Sequence, residues 1–84
     1  MDKLRLYRKK VDEIDKKIVR LLMLRFRLMK HISTYKKTKK IKVLDKKREL
    51  RVLENIRKFS DNKHKTFVTH IFKSIIKYSK RLQR

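Results

Sequence analysis

Glycine, proline, cysteine and tryptophan are all missing from this 84-residue chain, and so is alanine. Without cysteine there is no disulfide framework, no thiolate zinc site and no cysteine nucleophile. Without glycine and proline the usual punctuation of turns is gone, so the breaks between elements must be read from Ser, Asp and Asn. The lack of alanine, the best helix former, has no folding rationale. Ala, Gly and Pro need GC-rich codons while Lys, Ile, Asn, Phe and Tyr can be written with A and T alone, so this alphabet is the one expected of an AT-rich genome. Acidic residues are scarce as well, 8 against 29 Lys plus Arg, for a formal charge of +21. Such a charge resists compaction and attracts anions, either polyanions or small acids. No apolar run approaches the roughly 18 residues that cross a bilayer, and MDKLRLYRKK lacks the apolar stretch of a signal peptide. The expectation is a soluble cytoplasmic protein. Residues 1–84 are too few for two independent cores, so they form one small domain or one subunit of something larger.

What is present is helical periodicity. Leu4, Tyr7, Val11, Ile14, Ile18, Leu21, Leu28, Ile32 and Tyr35 follow a 4-3 alternation that places them on one face. A helix over about residues 3–39 is roughly 55 Å long, longer than any globule of this size is wide, and needs partners along its whole length. KTKKIKVL at 37–44 breaks the pattern, and Asp45 offers an N-cap for a second helix over about 46–59 carrying Val52, Leu53 and Ile56. SDNK at 60–63 reads as a turn. A third helix comes next, over about 64–83, with Phe67, Val68, Ile71, Phe72, Ile75 and Ile76 on its stripe. The fold class is all-α, three helices per chain with a long first helix.

Polar residues on an apolar stripe are informative, because an unpaired buried charge costs several kcal/mol or shifts its pKa. Arg25 sits on the seam between Leu21 and Leu28. Lys36 is 11 residues on, about 20° round and roughly 16 Å along, a spacing that lets two long side chains clamp a small anion. In the second helix Glu49 shares a face with Val52, Leu53 and Ile56, beside Arg48. In the third, Ser79 and Gln83 extend the apolar row with neutral hydrogen-bonding groups. Each has a plainer structural reading. A seam Arg often snorkels, Glu49 can pair with Lys46 or Arg48 in the first turn, and Ser79 and Gln83 can be a fraying helix end. His31, His64 and His70 have no carboxylate spacing that suggests a metal, and Tyr7 and Tyr35 read as core or boundary rings.

The joint pattern of Arg8, Arg25, Lys36, Asp45, Arg48, Glu49, Ser79 and Gln83 resembles the all-helical class of chorismate mutases. LYRKKVDEIDKKIVRLLMLRFRLMKHISTYK and LDKKRELRVLENI look like that family's first two helices, and IFKSIIKYSKRLQ like its third. The resemblance covers nearly the whole chain and implies an intertwined helical homodimer. Helix geometry agrees with one part of this. Arg8 and Arg25 are 17 residues apart, about 25 Å along one helix and about 100° around it, too far to serve one small pocket. If Arg8 is functional, it must reach a site built mainly by another chain. Pairing two such helices also buries both overlong stripes.

The resemblance further implies conversion of chorismate to prephenate, an intramolecular rearrangement needing no cofactor, metal or covalent nucleophile. By family match, Arg25 and the partner's Arg8 hold the substrate carboxylates and Ser79 hydrogen-bonds the ring carboxylate. Lys36 and Gln83 donate to the ether oxygen, Glu49 accepts from the ring hydroxyl, and Asp45 and Arg48 shape the pocket around that hydroxyl. His31 and Ser33 stand where smaller or apolar residues are common, which predicts looser packing there. Two other readings fit the sequence: an isochorismate pyruvate-lyase of the same fold, and a basic helical nucleic-acid binder. Against the binder stand the lack of a nucleic-acid motif and the few aromatics among the basic runs.

Overall fold

An aspartate organises the start of each of the three helices. The computed structural model describes residues 2–84, and α1 (Lys3–Thr38) opens with the Asp2 carboxylate accepting from the Leu4 N–H at 3.0 Å. Asp45 does the same for α2 (Lys46–Phe59), accepting from the Arg48 N–H at 3.0 Å. The turn before α3 (Lys65–Gln83) is held by Asp61, whose carboxylate accepts from the His64 N–H at 2.8 Å. That carboxylate also meets the His64 ring at 2.9 Å, a contact that lowers the Asp61 pKa from its ordinary value.

The end of α1 shows what happens when a chain without glycine needs a left-handed residue. Lys40 has φ 58°, the Lys40 N–H bonds the Lys37 carbonyl at 3.2 Å, and the Ile41 N–H reaches back to the Lys36 carbonyl at 2.8 Å. This is the hydrogen-bond pattern that usually closes a helix over a glycine, and a lysine fills the strained position. The helices therefore stop close to where the periodicity stops, α1 one residue earlier and α3 starting one residue later.

α3 packs against both other helices, while the backbones of α1 and α2 stay more than 8 Å apart. Phe26 of α1 and Tyr78 of α3 meet edge to face with ring centroids 4.9 Å apart. The extents are 59 × 26 × 16 Å, and the radius of gyration is 16.5 Å. A compact chain of this length would have a radius of about 12 Å. The excess comes from α1, in which every residue from Lys3 to Leu21 is exposed, including Ile14, Ile18 and Leu21 of the apolar row. Among the described residues no apolar side chain is buried; the buried ones are Ser33, Thr69 and Ser79. Where a helix crossing calls for a small residue, this alphabet supplies a hydroxyl. Ser33 is thus a tight contact, correcting the looser packing expected there. No helix among the described residues is long and apolar enough to cross a membrane.

Candidate functional site

With the backbones of α1 and α2 apart on either side of α3, the three helices and the α1–α2 connection line a half-open cavity of about 310 Å³, within the range of small-ligand pockets. Seven of the eight residues singled out in the sequence line it: Arg25 and Lys36 from α1, Asp45 at the N-cap of α2, Arg48 and Glu49 from its first turn, and Ser79 and Gln83 from α3. Their convergence comes from helix phase. Arg25 and Lys36 share a face of α1, Ser79 and Gln83 lie one turn apart on α3, and the Asp45 cap fixes the first turn of α2. Met29, Ile32, Val43, Leu44, Val52 and Ile76 supply apolar wall.

The polar groups are tied to one another across elements. Arg25 Nη1 donates to Ser79 Oγ at 2.7 Å, and that hydroxyl donates to the Ile75 carbonyl at 2.8 Å. Lys36 Nζ donates to the Val43 carbonyl at 3.0 Å, pinning the α1–α2 connection over the cavity. An ammonium has three donors, so two remain for a ligand. Asp45 is occupied with its cap. Glu49 pairs with Lys80 of α3 at 2.9 Å, rather than with Lys46 or Arg48 of its own helix. Gln83 Nε2 lies 3.7 Å from the Met29 sulfur.

Charge in the cavity is unbalanced. Among the described residues no carboxylate lies within ion-pair distance of Arg25, Lys36 or Arg48. Burial, then the neighbouring Arg48 guanidinium, lowers the pKa of Arg25 from its ordinary value. A half-buried cation facing a second cation gains from any anion placed between them.

Arg8 is elsewhere. It is exposed near the start of α1, beside Asp2, Arg5, Lys9 and Asp12, and does not reach this cavity in its own chain. The sequence pattern does not single out Lys80, Met29 or the Val43 carbonyl. Lys80 sits on the shoulder of the α3 stripe, where one lysine among 29 cations carries no signal. The histidines are exposed, and no group of three metal-ligating side chains is present among the described residues.

Comparison with known proteins adds two findings. The family model described as chorismate mutase type II matches residues 7–84. A chorismate mutase from Methanocaldococcus jannaschii is 35% identical over 86 residues, an alignment that covers 100% of this chain and 87% of that protein.

Proposed function

The chain belongs to the chorismate mutase type II family, and on that membership we propose that its cavity converts chorismate to prephenate, a precursor step of aromatic amino acid biosynthesis. The observation that carries the reading is the set of three cations, Arg25, Lys36 and Arg48, lining one small cavity without carboxylate partners. Chorismate is a dicarboxylate of matching charge and size. In the rearrangement the ether C–O bond breaks as a C–C bond forms between the enolpyruvyl carbon and the ring. No atom enters or leaves, so no nucleophile or proton donor is consumed.

A protein accelerates such a reaction by holding the folded, reactive conformer and by placing donors where negative charge grows, at the ether oxygen. Arg25, oriented by Ser79, takes a carboxylate; Ser79, expected to bond the ring carboxylate itself, would do so only by releasing the Ile75 carbonyl to which its hydroxyl donates. Lys36 and Gln83 donate to the ether oxygen, and Glu49 accepts from the ring hydroxyl. Asp45 and Arg48 shape the wall near that hydroxyl. Gln83 is a neutral donor, so this arrangement works without a protonated acid.

The second carboxylate falls to Arg8 of a partner chain in an intertwined homodimer. Two features support the assembly. The apolar row of α1 is exposed over its first half, Ile14 at 55%, Ile18 at 50% and Leu21 at 66%, an area that a second α1 would cover. Arg8 is also about 25 Å along the helix from Arg25, as a residue given to another chain's site would be. The test is turnover of chorismate by the purified protein with product identification, and a parallel assay on isochorismate. Prephenate from chorismate is expected. Pyruvate release from isochorismate, with chorismate untouched, would replace the mutase reading with the lyase.

A further inference from the structure

The last turn of a helix leaves four carbonyls without intrahelical partners, and Gln83 is the last residue of α3. Its carbonyl is not left to solvent. Ser33 Oγ, on α1, donates to it at 2.9 Å, and Ser33 is only 4% exposed. One turn earlier on the same face of α1, the Met29 sulfur lies 3.7 Å from Gln83 Nε2. Gln83 is therefore held twice from one strip of α1, by main chain and by side chain.

We infer that Ser33, with Met29, forms a seat that positions the Gln83 amide for the reaction, making Ser33 a positioning residue that touches no substrate. The inference rests on the role given to Gln83 above. The two contacts differ in strength, and that difference is what a donor site needs. The hydroxyl-to-carbonyl bond is part-buried and strong enough to fix where the backbone of residue 83 stands. A thioether is a weak acceptor, so the amide is oriented by Met29 yet released cheaply to a better acceptor such as an ether oxygen gaining negative charge. The seat also ties the end of α3 to the same helix that carries Arg25 and Lys36. The distance between the neutral donor and the two cations is thereby set inside one chain, through a residue type that any small side chain could replace sterically but not chemically.

The test combines a double-mutant cycle with a readout independent of turnover. Ser33→Ala should lower kcat about tenfold, the scale of one lost hydrogen bond, with KM within about twofold. The same substitution in a Gln83→Ala background should change kcat very little. An equal loss in both backgrounds, or no loss in either, would overturn the seat and leave the mutase reading standing. If Gln83→Ala itself turns over chorismate normally, the ether-oxygen role of Gln83 fails instead. Independently of activity, the nuclear Overhauser contact between the Gln83 side-chain amide and the Met29 methyl should be present in the native protein and lost in Ser33→Ala. Its persistence in the variant would show that Ser33 does not position Gln83.

Discussion

Arg25 and Ser79 meet across the α1–α3 crossing, guanidinium to hydroxyl at 2.7 Å, and this bond ties the geometry of the cavity to the packing of the fold. Ser79 is 3% exposed and donates its own proton to the Ile75 carbonyl, so its oxygen is left as an acceptor aimed at Arg25. The arginine is thus fixed in direction before any ligand arrives, which lowers the reorganisation needed to bind one.

Arg25→Ala and Lys36→Ala are each expected to lose at least about 3 kcal/mol of transition-state stabilisation, the scale for removing a preorganised charged donor. Folding should survive, as judged by far-UV circular dichroism. Near-native turnover of chorismate by both variants would make the two cations structural.

Arg8→Ala should abolish most activity without changing the assembly seen by sedimentation. Mixed with inactive Lys36→Ala chains, it should recover activity after subunit exchange, because one of the two sites in a mixed dimer then carries neither lesion. Verified heterodimers with no recovered turnover would mean that Arg8 and Lys36 act in one site, against the helix geometry.

Lys80→Gln removes the partner of Glu49 and leaves the cavity one charge more negative. The pair is partly solvated, so the effect should be modest, a rise in KM of about three- to tenfold with a smaller change in kcat. An unchanged KM would place Lys80 outside the recognition of substrate.

Lys40→Gly should stabilise the protein by about 0.5–1 kcal/mol, because glycine accepts φ 58° without the clash a Cβ makes but loses more entropy on folding. Urea denaturation measures it. A lower midpoint at equal slope would show that the left-handed turn is not strained.

In the proposed homodimer two chains at +21 each repel, so moderate salt should raise the melting temperature by screening while weakening capture of a dicarboxylate. A dicarboxylate transition-state mimic should raise it further in proportion to occupancy. A melting temperature that falls with salt, or no shift with saturating mimic, would overturn this electrostatic account.

The three helices are legible in the sequence because the apolar stripe is regular and its breaks coincide with Asp2, Asp45 and Asp61, whose carboxylates accept from the N–H groups at the helix starts and at the turn into α3. Arg25 and Lys36 stand out because each interrupts a stripe, and Ser79 and Gln83 because each extends one. Lys80 is not legible. Its role depends on a contact between α2 and α3, and charge alone does not separate it from its neighbours. Ser33 misleads for a related reason. A serine standing where smaller or apolar residues are common looks like a packing defect until the carbonyl it bonds, fifty positions away, is in view.

The unsupported half of α1 has a kinetic corollary. From Lys3 to Leu21 every residue of the helix is exposed in the single chain, so in the homodimer proposed above the second chain would supply the packing that supports it. With that pairing its helix–coil balance would be a second-order process, and helicity and turnover would share one dependence on protein concentration. On dilution both should decline along the same curve, the rate per chain falling in step with the helical signal. In that proposed assembly the enzyme would report its own abundance, working well only where enough copies exist to complete one another.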